Sequence, residues 1–310
     1  MKTILILGGF GFLGSNLLNY IDRFLRNKYN VIVFDKLQDH PFGVKFECIS
    51  KVYWGDFGNR QEVELLFMEN KIDQVFHLVN STVPATSVDI RFDIESNLLP
   101  TISFLELMDY YNVNNIVFIS SGGAIYGNTC GRRHLENEDT FPISSYGIVK
   151  LAIEKYICMF NKRNNLTYLI LRLSNPYGPF HYSTKQGLVN IALRKSKQKE
   201  LLTIWGNGLN KKDYIFVEDF TELCMQLVTN EIKNEIINIG SGHSHSINEI
   251  LEKVKSCDPS FQWEYIEKRE FDNMTFELCL DKLNGYIKDF HFTSLETGIK
   301  KTLEWNNNKH

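Results

Sequence analysis

Proline is scarce in this chain, 7 of 310 residues, and neither sign of charge prevails: 34 Lys and Arg against 37 Asp and Glu leave a formal net charge of -3. That near balance argues against a broadly basic nucleic-acid binder and against a protein held on an anionic membrane. With so little proline, 20 glycines and no repeat, charge block or low-complexity tract, neither a disordered chain nor a solenoid fits. No apolar run reaches the roughly 18 to 20 residues that span a bilayer, so membrane insertion is not expected. Cys48, Cys130, Cys158, Cys224, Cys257 and Cys279 are scattered without a Cys-x-x-Cys pair, which speaks against a disulfide framework or a zinc site and for a reducing, cytoplasmic setting. His243 and His245 lack further ligands nearby, and no metal is expected. Met1-Lys2 ahead of Thr3 to Leu7 has the charge and apolar run of a signal peptide, but the glycine-rich stretch behind it gives these residues a better explanation.

What the chain does have is apolar residues, 43% of the total, in a length suited to about two domains or one large layered one. Short apolar runs (Ile4 to Leu7, Val31 to Phe34, Gln74 to Leu78, Ile116 to Ile119, Tyr168 to Leu171) alternate with helical spacing over 13–25, 62–68, 102–110 and 146–160. This alternation predicts buried parallel strands in a doubly wound α/β sheet. After about Asn175 the rhythm loosens into short strands at 202–205, 235–239 and 262–266. The expectation is a sheet domain over 1–175 and a smaller α/β lobe over 176–310, with the chain free to cross back between them.

Gly8-Gly9-Phe10-Gly11-Phe12-Leu13-Gly14-Ser15 follows the first strand and opens a helix, satisfying both Gly-x-Gly-x-x-Gly and Gly-x-x-Gly-x-x-Gly. Glycines are needed there so that the turn can tighten and a pyrophosphate can approach main-chain N–H groups at a helix N-terminus. Asp35 ends the second strand 21 residues after Gly14, near the spacing at which an acid accepts from the adenosine ribose hydroxyls. A carboxylate there repels a 2′-phosphate, so NAD is favoured over NADP; the adjacent Lys36 weakens that exclusion without overturning it. A turn residue at the strand end is the plainer reading of Asp35. Asp56, followed by Phe57 at the end of the next apolar segment, is either an adenine contact or a helix cap.

Tyr146 and Lys150 stand four apart at the head of a helix announced by Pro142 and by Ser144-Ser145 as caps, which puts both side chains on one face. An ammonium near a phenol stabilises its ionised form, so the Tyr146 pKa is expected to fall toward working pH and its oxygen to exchange a proton with a sugar hydroxyl. Lys150 is placed to hold the nicotinamide ribose.

Together these motifs resemble the extended short-chain dehydrogenase/reductase superfamily, in particular its NAD-dependent nucleotide-sugar epimerase/dehydratase group. The likeness continues through His77-Leu78, Asn97, Ser120-Ser121, Ile125-Tyr126-Gly127, Arg172 to Pro179, Gly208 to Asp219, Asn238 to Gly242 and Arg269 to Asp272. The resemblance implies a Rossmann-type fold and cofactor contacts from Gly8, Gly11, Phe12, Leu13, Gly14, Asp35, Asp56, Phe57, Leu78, Tyr146 and Lys150. It implies a nucleotide-diphosphate sugar held by Asn175 and Arg269 at the diphosphate, Asp272 at the ribose and Trp205 near the base. Lys212 stands where the family usually has Arg, keeping the charge but losing the bidentate fork. For Trp205 a core position is the competing reading, and for Arg269 a solvated surface charge. His77 is read as structural and Asp219 as a helix cap. The resemblance further implies a homodimer through helices near 146–160 and 95–111.

One departure concerns the reaction. The family hydroxyl expected four residues before Tyr126 is replaced by Gly122, leaving Ser121 as the candidate that joins Tyr146 and Lys150 in catalysis. The two positions that carry an Asp-Glu pair in sugar 4,6-dehydratases are Gly123 and Ala124, so dehydration is disfavoured. The leading expectation is a nucleotide-sugar 4-epimerase, the alternative a 4-keto-6-deoxy-sugar reductase. The third reading, motivated by Gly122, is a non-catalytic dinucleotide-binding scaffold.

Overall fold

Apolar runs that continue without alternation are buried on both faces, as strands covered by helices on either side must be. The computed structural model describes residues 1–82, 84, 87–127, 132–267 and 275–308. Its strands in chain order are β1 (Lys2–Leu7), β2 (Tyr29–Asp35), β3 (Ile49–Trp54), β4 (Gln74–His77), β5 (Asn115–Ser121), β6 (Arg133–His134) and β7 (Thr167–Leu173). They continue as β8 (Asn175–Tyr177), β9 (Leu202–Trp205), β10 (Lys211–Phe216), β11 (Glu235–Ile239), β12 (Ser244–Ser246), β13 (Trp263–Ile266) and β14 (Glu277–Leu278). The helices are α1 (Phe12–Phe24), α2 (Arg60–Glu69), α3 (Ile90–Asp93), a π-turn (Ile94–Leu98), α4 (Leu99–Tyr110), α5 (Gly122–Ile125) and α6 (Ser145–Asn164). After these come α7 (Leu188–Gln198), α8 (Val217–Thr229), α9 (Ile247–Cys257), α10 (Asp281–Tyr286) and α11 (Leu295–Asn307).

A seven-stranded sheet runs β11-β7-β5-β4-β1-β2-β3 with every pair parallel. Strand order reverses between β1 and β4, and in open α/β sheets the crevice at the carboxyl ends of such strands receives the ligand. Ile4 and Ile6 face α1 and α8 on one side, while Leu5 and Leu7 face α2, α4 and α6 on the other. A smaller core gathers Val189, Leu193, Ile204, Phe216, Leu251 and Ile299 in the C-terminal part.

Glu235–Ile239 pairs with β7 at the edge of the main sheet, and α8 before it packs on α1. The chain thus returns to the main sheet after Asn175, the crossing back for which the sequence reading left room.

The catalytic candidates sit on α6, which Ser144 caps by accepting the Gly147 N–H. That helix is fastened to the sheet by a buried ion pair: Arg172 of β7 reaches Glu154 with Nη2 at 2.8 Å and Nε at 3.2 Å. Ser120 donates to the same carboxylate at 2.5 Å, and Arg172 also donates to Tyr126. Removing one partner of such a pair leaves an uncompensated buried charge. Arg172→Met is therefore expected to lower the unfolding free energy by about 3 to 5 kcal/mol in urea denaturation, and an unchanged midpoint would contradict the role given to the pair.

Candidate active site

The turn after β1 leads into α1 with Gly11 at the N-cap and no side-chain cap among the described residues, which leaves first-turn N–H groups to an outside acceptor. Gly14 sets how close the turn lies: a Cβ there would fall 2.3 Å from the Gly8 carbonyl oxygen and 2.6 Å from that of Gly9. Asp35 accepts the Phe10 N–H at 2.9 Å and the Leu37 N–H at 3.0 Å, so its carboxylate is oriented by the glycine turn itself. Burial pushes this carboxyl up, against the backbone N–H groups that pull it down. Leu78 prolongs β4 with its N–H on the Leu7 carbonyl. Leu13 packs on the α1 side of the core. The Phe12 ring meets His181 edge-on at 4.8 Å, and Asn16 donates to the Pro179 carbonyl at 2.9 Å, tying α1 to the segment after β8.

At this edge one of the two alternatives for Asp56 falls away. Asp56 does not cap α2; Asn59 does, accepting from Gln61 and Glu62. Asp56 instead lies 3.2 Å from Lys36 Nζ, which places that cation on a carboxylate beside Asp35. The Phe57 ring turns into the core against His77 and Phe104. His77 bonds Thr101 Oγ1 at 3.1 Å, and burial drives its pKa down to about 3, which leaves a neutral structural imidazole.

Tyr146, Ser121 and Lys150 come together at the carboxyl edge of β5. The Ser121 hydroxyl and the Asn80 side chain stand beside the Tyr146 phenol, and both pull its pKa down. Lys150 is buried, donates to the Ile119 carbonyl at 2.9 Å and lies 5.9 Å from the Tyr146 ring centre. Burial brings this ammonium down to about 8, with Glu154 pulling the other way. The expected fall of the Tyr146 pKa is not found: burial pushes it up to about 12 in the protein alone, and only Ser121 and Asn80 oppose the rise. The reason is burial, which outweighs the neighbouring Ser121 and Asn80, while Lys150 directs one N–H to the Ile119 carbonyl. Asn80 is the residue the sequence reading missed; it follows the His77-Leu78 pair but belongs to none of the quoted motifs.

Gly122 is explained by its neighbours. A Cβ there would meet Leu278 at 3.0 Å and the Arg172 carbonyl at 3.2 Å, so β14 occupies the room a hydroxyl side chain would need. Beside it, a Cβ on Gly123 would lie 4.0 Å from Asn175 Nδ2, which puts Asn175 next to the same corner; its amide donates to the Asp213 carbonyl at 2.9 Å. Trp205 is exposed rather than core, at the end of β9 opposite Ile266. Lys212 is exposed on β10 opposite His245 of β12. Arg269 and Asp272 lie outside the described residues. Asp219 is not a helix cap: it sits within the first turn of α8 and accepts from the Thr293 N–H and hydroxyl, each at 2.7 Å.

The family model for the NAD dependent epimerase/dehydratase family matches residues 4–240. The chain belongs to that family. It is 31% identical over 317 residues, 99% of both chains, to a Methanocaldococcus jannaschii protein provisionally named a UDP-glucose 4-epimerase. Among solved structures it resembles the Thermotoga maritima UDP-glucose 4-epimerase with UDP-glucose (TM-score 0.87, 29% identity, 99% of each chain). The Thermus thermophilus UDP-glucose 4-epimerase in complex with NAD is similar to the same degree (TM-score 0.87, 27% identity, 99% of each chain).

For this epimerase/dehydratase family member, NAD is the cofactor, and the residues fit it: the tight glycine turn that a Gly14 side chain would break, the uncapped start of α1 and the oriented Asp35 carboxylate. The position of Tyr146 gives a direct test. Tyrosinate absorbance of the cofactor-free protein is expected to show no ionisation below about pH 9 that Tyr146→Phe removes, since burial favours the protonated phenol; a Tyr146-dependent step near neutrality would contradict the geometry.

Proposed function

We propose that this protein is a nucleotide-sugar 4-epimerase in which Tyr146, Ser121 and Lys150 act at the C4 hydroxyl. The observation that carries this reading is the corner itself: one phenol beside a hydroxyl and an amide, next to Asn175, with Gly123 and Ala124 supplying no ionisable group for dehydration. NAD, when bound, supplies the acceptor and donor of hydride. Tyr146 in its phenolate form, which the positive charge of the bound cofactor together with Lys150 would favour, takes the proton of the C4 hydroxyl and returns it after the 4-keto sugar has turned, and Ser121 holds the oxygen between them. Lys150, fixed by Ile119, offers its remaining protons to the nicotinamide ribose and its charge to the phenolate. The turn at Gly8, Gly11, Phe12, Leu13 and Gly14 receives the pyrophosphate through main-chain N–H groups, Asp35 the adenosine ribose, and the edge formed by Asp56, Phe57 and Leu78 completes the cofactor groove.

In the substrate, Asn175, Lys212 and Arg269 are assigned to the diphosphate, Asp272 to the ribose and exposed Trp205 to the base. Trp205 ends a strand and pairs there with Ile266, and Lys211, the neighbour of Lys212, bridges Thr275. A cytoplasmic homodimer is part of the same reading. Exposed Leu99 and Tyr110 on α4 and Ile148 on α6 support that contact, and no described helix is long and apolar enough to cross a membrane.

Purified protein is expected to release NAD on denaturation and to interconvert UDP-hexoses without net absorbance change at the nicotinamide band. Tyr146→Phe is expected to keep its NAD and lose about 10²-fold or more in kcat. Stoichiometric consumption of added NADH or NADPH with a 4-keto-6-deoxy sugar, and no interconversion, would replace the epimerase with the reductase.

A further inference from the structure

Asp93 is fully buried and ends α3 just before the π-turn. Its Oδ2 accepts from the Ser87 hydroxyl, and Ser87 Oγ accepts the Tyr146 backbone N–H at 2.9 Å. The hydroxyls of Ser145 and Thr82 stand around the same carboxylate, although among the described residues its Oδ1 has no partner within ordinary hydrogen-bond distance. Burial pushes the carboxyl up, and the surrounding hydroxyls more than offset this, so that it stays ionised.

A carboxylate is expensive to bury, and Ser144 accepts only the Gly147 N–H of the first turn of α6, which leaves the Tyr146 N–H to Ser87. What the Asp93 link adds is attachment at one residue, Tyr146. The π-turn widens the helix so that Asn97, four residues on from Asp93, also faces inward and accepts the Ser81 N–H at 2.7 Å. Two residues thus come to Tyr146 from this side: Asn80 stands beside the phenol, and Ser87 accepts the amide N–H.

We propose that Asp93, acting through Ser87, is a positioning residue for Tyr146: it fixes the first turn of α6 so that the phenol meets Ser121 and Asn80. This rests on the reading of Tyr146 as the proton-transferring group. A reacting oxygen displaced by about 1 Å loses on the order of 10²-fold in rate, and such a displacement need not alter how the nucleotide or the cofactor binds.

Ser87→Ala removes the link with little change in volume. With UDP-glucose, kcat is expected to fall about 10- to 100-fold, while KM and the NAD released on denaturation stay within about twofold of wild type. Ser87→Thr is expected to restore most of the loss, and Asp93→Asn, which keeps the volume, to reproduce it. A second readout needs no turnover. In NAD-loaded protein labelled with 13Cζ-tyrosine, the resonance missing from Tyr146→Phe is expected to move or broaden in Ser87→Ala, while those of the other tyrosines hold. A protein inert on every nucleotide sugar would sink the epimerase reading and still leave this link decided by the resonance. A Ser87→Ala variant with kcat within about twofold of wild type and an unmoved Tyr146 signal overturns the proposal, and so does a uniform shift of all tyrosine signals.

Discussion

The buried pairing of Glu154 with Arg172 is the constraint from which the site is built. Tyr146, Lys150 and Glu154 follow one another at four-residue spacing along a single face of α6, and that face must pack on β5 and β7. Seating it carries an ammonium and a carboxylate into the interior, where each needs a partner. Lys150 finds the Ile119 carbonyl, and Glu154 finds Arg172 together with Ser120. Arg172 then passes the tie to Tyr126, and Tyr126 to Asn238 on the far edge strand, so the catalytic helix, the loop after β5 and the end of the sheet move as one piece. Buried ion pairs seldom outdo apolar side chains in net stability. Here the pair is better understood through what it orients.

Orientation matters because the protein alone does not tune its catalytic groups. Desolvation leaves the Tyr146 phenol at about 12 and draws Lys150 to about 8, so at neutral pH the corner rests as a protonated phenol beside an ammonium. Ser121 and Asn80 beside the phenol lower its pKa without bringing it to neutrality. A further positive charge in the cleft favours the phenolate by the same electrostatics that penalise it now.

Much of this was legible in the sequence. Strands buried on both faces announce themselves as unbroken apolar runs, and Gly14 and Asp35 carry their spacing on the surface of the text, because backbone approach to a pyrophosphate tolerates few alternatives. The remainder depends on contacts between distant segments. Gly122 reads as a defect until Leu278, far along the chain, is seen to fill its space. Glu235–Ile239 is patterned like any short strand, and only pairing with β7 assigns it to the main sheet. Asn80, Ser87 and Asp93 follow no periodicity, since loop residues converge on Tyr146 through a π-turn that apolar spacing does not reveal. The Tyr146 pKa was misjudged for a related reason: four-residue spacing gives a shared face but says nothing of where the Lys150 proton points or how dry the cleft is.

The central claim is that Tyr146, with Ser121 and Lys150, exchanges the C4 hydroxyl proton while the C4 hydride passes to bound NAD and returns from it within a single closed site. Nucleotide-hexose carrying deuterium at C4, turned over by the purified protein in ordinary water and followed by mass spectrometry, tests it most directly. The account requires the epimerised product to keep its C4 deuterium; exchange of that deuterium for solvent hydrogen would contradict it.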